Sequence, residues 1–252
     1  MALLGRRIRP GEGTREAHWH RSAYLRRLPA WTVGAFLGRC VRVVVVSPHP
    51  DDEVLGCGGL LHACAARGMP IAIASVTGGE ACYPGNPRWP RAHLLRERRR
   101  ELACALAALG VPTQAVPLGF ADGRVARDEA SLLRRLRAFI GPGDLVLGPW
   151  HRDGHPDHEA VARAARRAAL AAGARHREFP VWGWHWARPT GEDFDAADAV
   201  RIALSPEARA AKRDAMACFR SQTGVGVDGI DAPILTPDVV ARFARPFEVF
   251  FA

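Results

Sequence analysis

Val43-Val44-Val45-Val46-Ser47-Pro48-His49-Pro50-Asp51-Asp52-Glu53 decides the fold of this chain. Four consecutive β-branched valines leave no polar face, so both sides of the segment must be buried. That pattern belongs to an interior strand of a parallel sheet. Ser47-Pro48 closes the run, because proline cannot donate to a strand ladder. The polar cluster from His49 to Glu53 therefore sits at the strand's carboxyl end, the edge at which open parallel sheets bind their ligands.

Outward from this strand, hydrophobic periodicity gives helix Leu55–Arg67, strand Ile71–Val76 and a long helix from about Arg91 to Leu109, ended by Gly110 and Pro112. Strand Gln114–Leu118, helix Glu129–Ile140, strand Asp144–Leu147 and helix Asp157–Ala172 follow, with Gly173 past the last helix. Further strands are expected near Phe179–Trp186 and Ala199–Ala203, then a helix Pro206–Phe219 and a final strand Phe247–Phe251. Strands alternating with helices of this length mean an α/β fold: a Rossmann-like, mostly parallel sheet flanked by helices, with the active site at the strand carboxyl ends. The 252 residues fit one such domain over residues 41–252. Residues 1–40 read as a basic N-terminal extension in which Thr14 can cap a short helix reaching about Arg27, while residues 1–13 are expected to be loosely ordered.

The net charge of +9 is unevenly spread: residues 1–40 contribute +6 and the remaining 212 residues only +3. A basic tail of that kind carries no nucleic-acid recognition motif, and no nucleic-acid partner is expected. The six cysteines form no C-x-x-C pair and sit mostly in apolar surroundings, as in a reduced cytosolic protein. No apolar run approaches the ~20 residues of a bilayer span, and no apolar leader with a cleavage site opens the chain. A cytoplasmic protein without a transmembrane segment is expected; the oligomeric state stays open.

A second polar cluster, Gly154-His155-Pro156-Asp157-His158-Glu159, follows the fourth strand and opens a helix. Both clusters lie at strand carboxyl ends, so they can converge on one crevice. Together they supply three histidines and several carboxylates, a nitrogen–oxygen mixture suited to zinc at a catalytic site with three protein ligands. Either His-Pro turn alone would read as a capped loop; the pairing at matched strand ends favours metal chemistry.

His49-Pro50-Asp51-Asp52-Glu53, followed by Gly56 and Gly58-Gly59, resembles the opening motif of the PIG-L/LmbE-like N-deacetylases, and His155-Pro156-Asp157-His158 resembles their second motif. The resemblance runs from about Val43 to Gln222. It implies a hydrolase that removes an N-acetyl group from an aminosugar-containing small molecule or glycoconjugate, with one Zn2+ per chain held by His49, Asp52 and His158. It further implies Asp51 as general base and His155 as the group that stabilises the oxyanion or protonates the leaving amine. Asp157 is expected behind the ligands, orienting His49 or His158, and Glu53 either behind them as well or as a structural cap. Gly56, Gly58 and Gly59 are expected to let the helix approach the sheet closely.

Three weaker signals concern substrate. Arg98 in Arg98-x-x-Glu101 resembles a family position that reaches the substrate, although an arginine run is usually a solvated face. Asp122 in Asp122-Gly123 either holds sugar hydroxyls or makes a simple turn. Trp182, Trp184 and Trp186 alternate, so on a strand they share one face and His185 takes the other, at the rim of the site; a packed aromatic layer competes with a sugar-stacking wall. Two departures from the family pattern stand out: Gly78 where many relatives have Asp, and Asp153 where mycothiol-pathway relatives have Tyr. An amidase for a larger acyl group or thiol conjugate, and a non-catalytic metal-containing binding module, are the alternative functions. Asp51 weighs against the module, which needs no base.

Overall fold

The computed structural model describes residues 8, 12–194 and 199–252. Two sheets organise them. The smaller holds β1 (Ala30–Trp31), β7 (Val200–Ala203) and β8 (Phe247–Phe250), in the order β1-β7-β8. The larger holds β2 (Arg42–Ser47), β3 (Ile71–Thr77), β4 (Val116–Phe120), β5 (Asp144–Pro149) and β6 (Arg175–Phe179), in the order β4-β3-β2-β5-β6. All of its pairings are parallel, with Val43 opposite Ile71 on one side and Leu145 on the other.

The valine run does what its composition requires. Val43 and Val45 join Ile73, Leu147 and Phe179 on one face, while Val44 and Val46 join Ala74, Val76 and Val146 on the other. All four valines are fully buried. The first face is covered by α4 (Asp52–Ala65), α5 (Arg91–Ala108) and α9 (Pro206–Ala217), the second by α6 (Glu129–Phe139) and α7 (Pro156–Ala172). The chain leaves β2 toward β3 and β4, then returns to β5 on β2's other side. The carboxyl ends of β2 and β5 thus flank the point where strand order reverses, and both polar clusters emerge there.

Four expectations need correction. The segment Phe179–Trp186 is not a strand: β6 ends at Phe179, and Gly183–Trp186 forms a short helix, α8. Thr14 caps no helix. Its hydroxyl donates to Ala187 O (2.8 Å), and the chain makes two short helices, α1 (Glu16–His20) and α2 (Ala23–Arg27). The N-terminal region is not an appendage beyond that point. Trp19 is fully buried, Phe36 and Leu37 of α3 (Val33–Leu37) join it in the same core, and β1, its side chains exposed, pairs in parallel with β7. Most of the stretch expected to be loosely ordered lies outside the described residues. Finally, Cys104 and Cys218 are joined in a disulfide between α5 and the end of α9, so the six cysteines are not all thiols. Two further helices, α10 (Arg220–Thr223) and α11 (Pro237–Phe243), complete the elements; no helix among the described residues is long and apolar enough to cross a membrane.

The helix that carries the first cluster is broken in a specific way. Cys57 leaves helical geometry (φ −143°, ψ 19°), so α4 is two helical pieces across a kink. Gly56 turns into the sheet there, and a Cβ at this position would lie 2.0 Å from the Phe179 ring. The backbone groups freed by the kink are taken up by a buried ion pair. Glu248, on β8, accepts from Gly59 N (2.7 Å) and Leu60 N (2.9 Å). Lys212, the only lysine in the chain, donates to Leu55 O (2.8 Å) and to Glu248 Oε1 (2.6 Å). Both side chains are at most 4% exposed, so removing one strands a desolvated charge. Lys212→Met should therefore lower unfolding free energy by about 3–5 kcal/mol in urea titrations, and Lys212→Met/Glu248→Gln should recover part of that loss. A single variant as stable as wild type would show that the pair does not hold the kink.

Candidate metal centre

α4 and α7 point their N-termini into the same crevice, and each contributes residues from its first turn or cap. Asp51 precedes α4 with φ +148° and ψ −31°, the one non-glycine residue with positive φ among those described. Such a backbone is strained by roughly 1–3 kcal/mol and persists only where its surroundings over-determine it. Here Asp51 O accepts from Val54 N (2.9 Å) and Leu55 N (2.8 Å), while its side chain is held by Arg98 (2.9 Å). At α7, His155 is the cap: its Nδ1 accepts from Asp157 N (3.2 Å), with Pro156 set in the first turn.

Three donor atoms meet at the centre. His49 Nδ1, Asp52 Oδ2 and His158 Nε2 form a triangle with every edge 3.2 Å. Zinc–nitrogen and zinc–oxygen bonds of about 2.0–2.2 Å in tetrahedral array separate neighbouring ligands by about 3.3–3.6 Å, so the triangle is slightly smaller than one tetrahedral face. His49, His155 and Asp157 form a second group able to hold a cation, sharing His49 with the first.

The other nitrogen of each histidine in the triangle faces a carboxylate. His49 Nε2 meets Asp122 Oδ1 (3.1 Å) and, at 3.5 Å, Asp157 Oδ2. His158 Nδ1 meets Asp153 Oδ2 (2.8 Å). Such pairing fixes which ring nitrogen is left to bind a metal. It also sets the electrostatics. Burial works against charge on His158, but Asp52 and Asp153 raise it to about 9; His49 moves upward in the same way, under Asp122, Asp157 and Asp52. Burial, with His158 and His49 beside it, pushes His155 down to about 3. Asp51 is carried up to about 7 by burial, against the pull of Arg98. Asp52 is held far below the usual carboxylate range: burial opposes its charge, and His158 and His49 more than offset that.

The cavity above this cluster has a volume of about 310 Å³, and His49, Asp51, Asp52, Arg98, Asp122 and His155 all line it, with Trp182 and Gln222 on its wall. Arg98 is no member of a solvated face. It is buried, donating to Gly79 O (3.0 Å) and Pro50 O (2.8 Å) besides Asp51. Asp122 borders the cavity from behind His49, its second oxygen accepting from Ala81 N (2.7 Å). Glu53 lies beneath: it is fully buried, and burial raises it to about 8. Ser47 Oγ donates to Glu53 Oε2 (2.5 Å) and lies 2.8 Å from His49 O, so its one proton has two acceptors within reach. Asp157 accepts from Gly123 N and Val125 N, tying α7 to the loop that carries Asp122.

His185 does not line this cavity. It packs against Gly13, bonds Arg242 through Nδ1 and gives its carbonyl to Thr14 N. The tryptophans do not share a face. Trp184 meets Trp19 edge-on at 5.0 Å and lies under the Arg245 guanidinium at 4.3 Å, Trp186 stacks on Trp150, and only Trp182 reaches the cavity. The residue that sequence reasoning passed over is Asp153, noticed only as a departure. Its signal was its place: a carboxylate in the β5–α7 loop, two residues before His155 and five before His158.

Among known proteins, the family model described as GlcNAc-PI de-N-acetylase (PIG-L) matches residues 44–169. The 2'-N-acetylparomamine deacetylase of Streptomyces fradiae is 33% identical over 177 residues, which cover 64% of this chain and 61% of that protein. Among solved structures, the A40926 pseudoaglycone deacetylase Dbv21 is similar with TM-score 0.63 and 26% identity, covering 84% of this chain and 96% of that one. The conserved protein TT1542 from Thermus thermophilus is similar with TM-score 0.56 and 29% identity, covering 83% and 93%. The chain spans about 60% of the length of the first curated relatives it matches.

Because Trp184 is 4% exposed and turned from the cavity, Trp184→Ala should behave as a core deletion. Its cost should be about 3–5 kcal/mol of unfolding free energy. Unchanged stability together with altered ligand binding would return this residue to the cavity wall.

Proposed function

The chain belongs to the GlcNAc-PI de-N-acetylase (PIG-L) family, and on that premise we propose that it hydrolyses the N-acetyl amide of an aminosugar-containing molecule, using one Zn2+ per chain. One observation carries the reading: a donor triangle of zinc-compatible size opens into the same cavity as an acid held beside it and a histidine held neutral. His49, Asp52 and His158 would hold the ion. When bound, zinc supplies Lewis acidity, stabilising negative charge that develops on oxygen.

The remaining roles belong to the chain's own side chains. Asp51 takes the proton from the attacking water as its oxygen bonds to the acetyl carbon. The same proton is then delivered to the nitrogen as the C–N bond breaks, leaving acetate and a free amine. His155 accepts from Asp157 N at Nδ1, so the proton of its neutral ring sits on Nε2, where it can donate to the oxyanion. Arg98 fixes the Asp51 carboxylate by donating to Oδ2. The cavity lies at the small end of the usual ligand-pocket range of roughly 300–1,000 Å³, room for a single acetamido sugar. Relatives support the class: one is named for 2'-N-acetylparomamine, another for an N-acetylglucosaminyl malate.

The adjacent aspartates separate base from ligand. Asp51→Asn should keep one equivalent of zinc by elemental analysis and lose about 10²–10⁴ in kcat for acetate release from an N-acetylated aminosugar. His158→Ala and Asp52→Asn should lose the metal first. If Asp51→Asn turned over normally, or if added zinc rescued it, the assignment of base and ligand would be wrong.

A further inference from the structure

Asp153 is fully buried, and every acceptor position on its carboxylate is used. Oδ1 accepts from Val181 N (2.9 Å) and Gly183 N (2.8 Å); Oδ2 accepts from Trp182 N (2.9 Å) and from His158 Nδ1 (2.8 Å). Three successive backbone N–H groups and one imidazole converge on a single side chain. Val181 and Trp182 are themselves part of the cavity wall, and Trp186 Nε1 donates to Asp153 O (2.9 Å), anchoring the same turn from its other end.

We infer that Asp153 is a positioning residue that sets two things at once. By accepting from Nδ1, it fixes the His158 tautomer and ring plane so that the Nε2 lone pair faces Asp52 and His49. By capturing the N–H groups of residues 181–183, it locks the cavity wall to that same ring. Ligand and wall then cannot move independently: a shift of the 180–183 turn is transmitted through one carboxylate to the metal centre. Neither a backbone carbonyl nor a neutral amide could replace it, since an amide offers one acceptor oxygen and would press its own N–H groups against donors.

The inference rests on His158 being a metal ligand, and the test separates the two claims. Zinc affinity is measured by chelator competition on wild type, His158→Ala and Asp153→Asn, with circular dichroism confirming the fold of each. Expected are loss of the one-equivalent site in His158→Ala and a 10–100-fold weaker dissociation constant in Asp153→Asn. If His158→Ala binds like wild type, the ligand reading fails. If it loses zinc while folded Asp153→Asn binds like wild type, only the positioning role fails. A second measurement needs no variant: long-range 1H–15N spectra of the zinc-loaded wild type should place the His158 proton on Nδ1. A proton on Nε2 would overturn the proposal.

Discussion

A helix that changes direction inside a packed core must find partners for the hydrogen bonds it breaks, and in this protein Lys212 and Glu248 are those partners. The pair meets the carbonyl of Leu55 from one side of the kink and the amides of Gly59 and Leu60 from the other. That fixes the direction of the first turn of α4, which presents Asp51 and Asp52 to the crevice. Because Glu248 sits on β8, the same contact docks the small sheet onto α4. Lysine suits the place: its ammonium is a compact charge with three donors on a thin stem, whereas a guanidinium would need a wider slot. In a chain where arginine supplies every other permanently charged cationic side chain, the choice of lysine here follows from geometry.

The crevice itself is a set of alternating charges rather than a single strong group. His49 and His158 are each flanked by a carboxylate on both nitrogens, and Asp51 leans on Arg98. Buried carboxylates of this number repel one another unless positive charge is threaded between them. The three-way contact of His49, Asp52 and His158 leaves its donor atoms convergent, an arrangement that could hold a small metal ion.

Much of this was legible in the sequence because it rests on local patterns. Four β-branched residues in a row dictate an interior strand, and two His-Pro-Asp clusters after strands dictate where polar chemistry gathers. What escaped depended on contacts between distant residues. The spacing of Trp182, Trp184 and Trp186 looked like strand alternation. Strand geometry fails there because Asp153 captures the N–H groups of residues 181–183, which a continuing strand would have spent on its neighbour. Asp122 read as a turn residue or a sugar contact, and nothing local showed that it would lie against His49. Neither the Cys104–Cys218 disulfide, whose halves are 114 residues apart, nor the two-residue strand β1 leaves a periodic trace.

The position of the centre at the reversal of strand order has a consequence for how the protein folds. β2, β3 and β4 can associate in chain order, but His158 reaches His49 and Asp52 only after β5 has crossed back to β2's free edge. The cluster is therefore assembled by the contact of greatest sequence separation in the central sheet, the kind that closes slowly because the intervening chain must first be ordered. Partly folded forms lacking that strand pair offer His49 and Asp52 without their third partner. An ion that prefers the complete triangle draws the population toward the fully paired sheet by mass action. On the proposed function, capture of the ion would act as a latch on topology.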